Sequence, residues 1–129
     1  MLAAEFSDAT TYRALEVHRL PVRLGHDVFD TGELTAATIQ SAVSGLESFR
    51  TRIGALSVAD HRAVATSAVR DSRNGAELLE RARANAGINI EVISGAEEAR
   101  LVHLAVRNRI SLGSEQWLLA DLGGGSLEV

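Results

Sequence analysis

A chain of 129 residues is the size of one compact domain, and its net charge of −4 without a basic tract argues against nucleic acid as a partner. The absence of cysteine excludes disulfides and thiolate metal sites, and no apolar run is long enough to cross a membrane, so we expect a cytoplasmic protein. All 13 basic residues are arginine, which leaves guanidinium groups as the only cations for an anion site.

The N-terminal part predicts two short strands followed by a third. "MLAAEF" (1–6) and "YRALEV" (12–17) flank a polar turn and predict a hairpin. "LPVRLGHDVF" (20–29) predicts a third strand. Thr35 has the side chain of an N-cap, and apolar residues recur behind it at helical spacing, so the pattern predicts an amphipathic helix over Thr35–Ile53.

The middle of the chain alternates strands with helices. "HRAVATS" (61–67) predicts a buried strand, and "INIEVI" (88–93) predicts a second one. Between them Asn74 and Glu77 have the spacing of a capping pair at the start of a helix, which Gly87 is placed to end.

The C-terminal part predicts one more helix and a strand pair. Ser94 and Glu97 form a second capping box before a helix over 96–110. "QWLLADL" (116–122) predicts the last full strand, and another strand begins after the glycines. Strands separated by helices predict an α/β fold with a mostly parallel sheet and an antiparallel opening.

The closing stretch "DLGGGSLEV" (121–129) offers a glycine turn with oxygen ligands on both sides. Glycines let backbone amides converge on an anion. Ser126 and Glu128 are two residues apart and share a strand face, and Asp121 ends the incoming strand. The turn suits a phosphate with a divalent cation, but an ordinary tight hairpin with solvated polar residues fits it equally well.

Glu98 and Arg70 are two further candidates. Glu98 shares a helix stripe with Leu101 and Val102, where partial desolvation favours a base, although a first-turn glutamate also stabilises a helix dipole. Arg70 follows a predicted parallel strand, at the edge where ligands bind in open α/β sheets. A solvated loop arginine is the ordinary alternative.

Together, "VATSAVRDSRN", "VISGAEEARLVHLAV" and "LLADLGGGSLEV" resemble the exopolyphosphatase/guanosine pentaphosphate phosphohydrolase (Ppx/GppA) family, and the resemblance covers nearly the whole chain. It implies an α/β fold of the actin-like ATPase (ribonuclease H-like) type, a mixed sheet with helices on both faces, here lacking the first strand. It also implies two domains: residues 1–115 are an incomplete first domain without its first phosphate loop, and residues 116–129 open the second.

The resemblance further implies a role for each candidate. Glu98 is the base that orients the attacking water, and Arg70 binds substrate phosphate. The second phosphate loop and the Mg²⁺ site together comprise Asp121, Gly123, Gly124, Gly125, Ser126 and Glu128, with Asp121 and Glu128 as the metal ligands. "SLE" stands where many members carry Ser-Thr-Glu, and the change to Leu127 leaves the two oxygen-bearing side chains in place.

The expected function is hydrolysis of terminal phosphoanhydride bonds of inorganic polyphosphate or guanosine pentaphosphate by a longer parent, with this fragment inactive by itself. Two alternatives stay open: another ATPase or kinase of the same fold, and a non-catalytic sensor of polyphosphate or an alarmone nucleotide. A missing central strand would leave an open sheet edge, through which a homodimer could form.

Overall fold

The computed structural model of the chain describes residues 1–8, 11–111, 113–122 and 127–128. The elements in chain order are β1 (Leu2–Phe6), β2 (Tyr12–Val17), α1 (Leu24–Thr31), α2 (Ala36–Ala55), β3 (Ala63–Ala65), α3 (Ser67–Arg70), α4 (Gly75–Arg81), a π-helical turn (Ala82–Ala86), β4 (Ile90–Val92), α5 (Gly95–Arg107), β5 (Asp121–Leu122) and β6 (Leu127–Glu128).

The predicted N-terminal hairpin is confirmed. β1 and β2 pair antiparallel from Leu2 opposite Val17 to Phe6 opposite Tyr12, with one register shift between Ala3 and Ala4. Arg52 of α2 binds the Glu16 carboxylate of β2. This ion pair ties the hairpin to the longest helix of the described chain.

The third strand predicted over 20–29 is wrong, because this segment enters helix α1. Leu24 and Val28 are four residues apart, and both pack against the buried core. The alternation of apolar and polar residues before them hid this helical spacing. Gly32 ends the helix in a left-handed conformation with φ 75°, which a glycine adopts without strain.

Helix α2 confirms the sequence prediction closely. Thr35 is its N-cap, and the Thr35 side chain accepts a hydrogen bond from the Thr38 backbone amide. Ile39 and Val43 are four residues apart on one face and are almost completely buried. The core cluster around them joins the inner face of α2 to residues from α3, α4 and the loop before α2: Leu34, Ile39, Ala42, Val43, Val69 and Leu78.

The two middle strands lie side by side and parallel, with Ala63 opposite Ile90 and Ala65 opposite Val92. The strand predicted over 61–67 is shorter than expected, because Ser67 already begins α3. Helix α4 continues into the π-helical turn, which ends at Gly87 with φ 62°, so the predicted stop at this glycine is confirmed.

The capping pair predicted for Asn74 is wrong. Asn74 stands at the N-cap position of α4, but its side chain makes no cap hydrogen bond. It bonds instead to the backbone of Leu34, 40 residues earlier in the chain. A tertiary contact has therefore replaced the local one.

The strand predicted over 116–122 is largely wrong. Only Asp121 and Leu122 are extended and paired, opposite Glu128 and Leu127. Trp117 and Leu118, in the preceding run, are 56% and 80% exposed, so this apolar segment is not buried as a core strand requires.

The described strands form three two-stranded sheets, two antiparallel and one parallel, with the helices between them in sequence. Both kinds of pairing predicted for a mixed α/β sheet are present. No helix within the described residues is both long enough and apolar enough to span a bilayer.

Candidate functional site

Two predicted site residues lie just beyond the carboxyl ends of the parallel strands. Arg70 is the last residue of α3, which follows β3 almost directly. Glu98 lies in the first turn of α5, which follows β4. Because β3 and β4 run parallel, both connections leave the sheet at the same edge, where open α/β sheets bind ligands.

Arg70 and Glu98 form an ion pair at this edge. The Nη1 atom of Arg70 donates to Glu98 Oε2 at 3.2 Å and to the Ile93 carbonyl oxygen at 3.0 Å. Its Nε atom lies 3.3 Å from Asp71 Oδ1. The Arg70 side chain is 27% exposed and that of Glu98 is 14% exposed, so the pair is largely shielded but open on one side.

The shielding of Glu98 confirms its predicted position on the covered stripe of α5. The sequence did not foresee that its carboxylate binds Arg70. At a mostly shielded sheet edge, an opposite charge within hydrogen-bond distance offsets part of the cost of keeping the Glu98 carboxylate out of water. The two predicted site residues therefore hold each other in place.

The backbone of Arg70 is fixed by a tight turn. Val69 is buried in the core, and its carbonyl oxygen accepts a hydrogen bond from Ser72 Oγ at 3.0 Å. A Cβ atom at position 75 would lie 2.4 Å from that same oxygen, so Gly75 is required by the close approach of the chain. The turn over residues 69–75 thus presents Arg70 in one orientation.

At the start of α5, Glu97 and Glu98 bind different partners. The predicted cap is confirmed in one half, since Ser94 Oγ accepts from the Glu97 amide at 3.2 Å. The Glu97 carboxylate does not complete the box and instead binds Arg100 through two bonds of 2.7 and 2.8 Å. These hydrogen bonds from Arg100 hold the pKa of Glu97 below its usual range.

The other predicted acidic pair lies near the C-terminus. Asp121 and Glu128 are directly opposite each other in the antiparallel pairing of β5 with β6. Asp121 is half-buried. Among the described side chains, Asp121 makes no hydrogen bond or ion pair with Arg70 or Glu98. The predicted phosphate-binding residues Gly123, Gly124, Gly125 and Ser126 lie outside the described residues.

Sequence reasoning missed two residues next to the site, Arg73 and Asn74. Arg73 binds the backbone of Thr31 at the end of α1, and Asn74 binds that of Leu34 in the loop before α2. The signal available was the Asn74–Gly75 dipeptide, which is typical of turns, although a turn does not reveal a partner 40 residues away.

Comparisons with known proteins agree on one family. The sequence profile of the Ppx/GppA phosphatase family matches residues 7–129. Exopolyphosphatase 1 of Mycobacterium tuberculosis is 34% identical over 108 residues, which are 84% of this chain and 31% of that protein. The protein of the same name from Mycobacterium leprae is 34% identical over 99 residues, which are 77% of this chain and 29% of that protein.

Solved structures give the same result. The Ppx/GppA enzyme of Aquifex aeolicus superposes with a TM-score of 0.81 at 31% identity, covering 98% of this chain and 42% of that one. An exopolyphosphatase from Cytophaga hutchinsonii superposes with a TM-score of 0.72 at 30% identity, covering 78% and 32%.

The fold is therefore that of the actin-like ATPases, as expected from the sequence. Within this class, the chain belongs to the Ppx/GppA phosphatase family. It spans about a third of the length of the curated relatives that it matches.

Proposed function

We propose that this chain is part of a phosphatase that removes the terminal phosphate from inorganic polyphosphate or from guanosine pentaphosphate. The single observation that carries the proposal is the Arg70–Glu98 pair at the carboxyl edge of two parallel strands. The similarity to proteins named exopolyphosphatase supports the choice of substrate class.

Arg70 has the properties of a phosphate-binding group. Its guanidinium is permanently charged and presents several N–H donors, and about a quarter of the side chain is open to solvent. The bonds to Ile93 and Glu98 hold the guanidinium in position before substrate arrives. A pre-positioned donor loses less entropy when it binds an anion.

Glu98 serves as the base that orients the attacking water. Its carboxylate lies beside the guanidinium, so a phosphoryl group bound by Arg70 is next to any water held by Glu98. Phosphoryl transfer needs little covalent help from the protein and depends mainly on in-line positioning and charge neutralisation. This pair provides one group for each task.

The chemistry of Asp121 and Glu128 fits Mg²⁺. Asp121 and Glu128 are opposite each other in the backbone pairing of β5 with β6, and Mg²⁺ prefers oxygen ligands such as carboxylates. When bound, the ion supplies positive charge that offsets charge developing on the leaving oxygen. In the same proposal, the backbone amides of Gly123, Gly124 and Gly125 and the hydroxyl of Ser126 hold the terminal phosphates.

The division into domains follows the same proposal. Residues 1–115 form the first domain, and residues 116–129 open the second. The first phosphate loop then lies in the rest of a longer protein. We therefore expect little phosphate release by this chain alone, because both phosphate loops are needed to position the substrate. Release of phosphate from long-chain polyphosphate at the rate of a longer relative would contradict this.

A homodimer is a further part of the proposal. Within the described residues, β1 pairs only with β2 and β3 pairs only with β4, so each has an edge without a strand partner. Such edges favour pairing between chains. Sedimentation of the chain as a monomer at all concentrations tested would contradict the dimer.

The decisive experiment is the substitution Glu98→Gln in the full-length protein. Removing a general base lowers the turnover number by about 100-fold or more, while substrate binding through Arg70 is retained. Phosphate release and polyphosphate affinity are the two measurements. Glu97→Gln is the matched control, because the neighbouring carboxylate binds Arg100 rather than Arg70, and its turnover should stay near wild type.

Equal loss of turnover and affinity in Glu98→Gln would overturn the base role. Tight binding of polyphosphate by the unsubstituted full-length protein, without any phosphate release, would favour the sensor alternative over the phosphatase.

A further inference from the structure

Asn74 binds both backbone groups of a residue that lies 40 positions earlier. Its Oδ1 accepts from the Leu34 amide at 2.8 Å, and its Nδ2 donates to the Leu34 carbonyl oxygen at 2.8 Å. Leu34 is buried in the core cluster. Pairing with both groups requires a side chain with a donor and an acceptor side by side, which a carboxamide supplies.

Arg73 reinforces the same junction with three bonds to the end of α1 and the loop that follows it. Its backbone amide donates to the Gly32 carbonyl oxygen at 3.0 Å, and its Nη2 donates to the Thr31 carbonyl oxygen at 2.8 Å. Its Nε donates to Glu33 Oε1 at 2.9 Å. We call residues 31–34 together with Arg73 and Asn74 the loop clamp.

The backbone of the loop clamp favours glycine at position 32. Gly32 has a φ of 75°, a conformation that other residues adopt only with strain. A Cβ atom there would lie 2.6 Å from Arg73 Nη1, so the end of the Arg73 side chain would have to move.

The loop clamp lies only three residues beyond Arg70. On one side of Arg70, Val69 is buried in the core, and on the other side Asn74 is bonded to Leu34. The turn between them is closed by the Ser72 to Val69 bond. Arg70 is thus carried on a short segment whose two ends are both fixed.

We propose that Asn74 is a positioning residue for Arg70: through its two bonds to Leu34 it holds the guanidinium against the Ile93 carbonyl and Glu98, ready for a condensed phosphate. The choice of a condensed phosphate as the ligand rests on the proposed function. The positioning of Arg70 by Asn74 does not, because it concerns contacts within the chain.

The first test follows Arg70 without any ligand. In ¹⁵N-labelled chain, the Nε–H resonance of Arg70, assigned by its loss in Arg70→Lys, should stand apart from those of exposed arginines, because Asp71, Glu98 and Ile93 surround the group. In Asn74→Ala it should move to the position of the exposed arginines. Asn74→Asp keeps the acceptor for the Leu34 amide but loses the donor, so it should shift part of the way.

The second test measures the affinity of the same variants for tripolyphosphate by calorimetry. Asn74→Ala should bind about tenfold more weakly than wild type. A displaced Arg70 would lose a hydrogen bond to the phosphate, and a charge-assisted hydrogen bond is worth about that factor. Asn89→Ala removes an exposed asparagine amide, and Ile39→Val lowers stability in the core cluster that contains Leu34 without removing a hydrogen bond of the loop clamp. Both controls should bind like wild type.

The outcomes separate the two proposals. An unmoved Arg70 resonance in a folded Asn74→Ala chain overturns the positioning role, and if that variant does not fold, the resonance of Asn74→Asp decides. A weakened affinity in Ile39→Val equal to that in Asn74→Ala also overturns it, because lost stability would then explain both. Failure of wild type to bind tripolyphosphate, with the resonance shift as expected, contradicts the proposed ligand and leaves the positioning intact.

Discussion

The central and terminal parts of this chain differ in how far they bury large apolar side chains. Apart from Ala3, every buried apolar residue in the described part lies between Leu34 and Ile93. At the ends, Leu2 and Phe6 of the hairpin and Trp117 and Leu118 near the C-terminus are more than half exposed. The central part of the chain therefore carries the core and positions Arg70 and Glu98.

The same contrast holds for the candidate site. The Arg70–Glu98 pair is supported by a buried neighbour, a tight turn and the loop clamp. Asp121 and Glu128 are supported, within the described residues, by a pairing of two residues per strand. Glu98 of the proposed site is therefore held by packed structure, whereas Asp121 and Glu128 lie on a hairpin of two residues per strand.

The largest expected effect tests whether the core is confined to the centre. Ile39→Ala should lower the free energy of unfolding by about 2–5 kcal/mol, because it leaves a cavity in the fully packed face of α2. Leu118→Ala removes an 80% exposed side chain and should change it by less than about 0.5 kcal/mol. Urea unfolding followed by circular dichroism measures both. Similar losses in the two variants would show that the C-terminal segment belongs to the core.

A smaller effect is expected for the ion pairs, where the central and terminal parts of the chain can be compared by their coupling free energies. A double-mutant cycle with Arg70→Gln and Glu98→Gln should give a coupling free energy of about 1 kcal/mol, because both side chains are mostly shielded. Glu5 and Arg13 of the hairpin are also paired, but their side chains are 63% and 74% exposed, so their coupling should be close to zero. Urea unfolding of the four chains in each cycle provides the values, and equal coupling in the two cycles would remove the distinction.

The smallest effect concerns pH. Hydrogen bonds from Arg100 lower the pKa of Glu97 in the folded chain relative to the unfolded chain. A depressed carboxyl pKa stabilises the fold above the unfolded pKa, and this contribution is lost as pH falls through the folded value. Glu97→Gln should therefore lose slightly less stability than wild type between about pH 7 and about pH 3. An unchanged pH dependence in this variant would show that the pair with Arg100 adds nothing in solution.

The sequence predicted best where local rules decide the structure. Thr35 and Ser94 were recognisable as N-caps because their partners are three residues away. Gly87 was recognisable as a helix end because its left-handed conformation favours glycine. The hairpin of β1 and β2 followed from two apolar runs around a polar turn.

The predictions failed where distant contacts override local ones. Residues 20–24 alternate like a strand, but Leu24 and Val28 pack against the core as part of a helix. Asn74 has the spacing of a cap, but its side chain bonds to the backbone amide and carbonyl of buried Leu34. Leaving those two buried groups without partners would cost more free energy than leaving the start of α4 uncapped. Arg70 and Glu98 were both identified as site residues, and the alternation of strands and helices predicted parallel strands. Their contact depends on β3 and β4 being direct neighbours, which neither motif encodes.

The π-helical turn links α4 to the segment that leads into β4. Ala82 and Ala86 are both buried, and Ile88, two residues further along, is buried as well. A π-helical turn closes its hydrogen bonds over five residues instead of four, so it holds one residue more than an ordinary helical turn. Removing one residue from it should therefore restore a regular helix and leave Ile88 in the core. The wide turn is thus a place where the chain accommodates a change in length ahead of the strand that leads to Glu98.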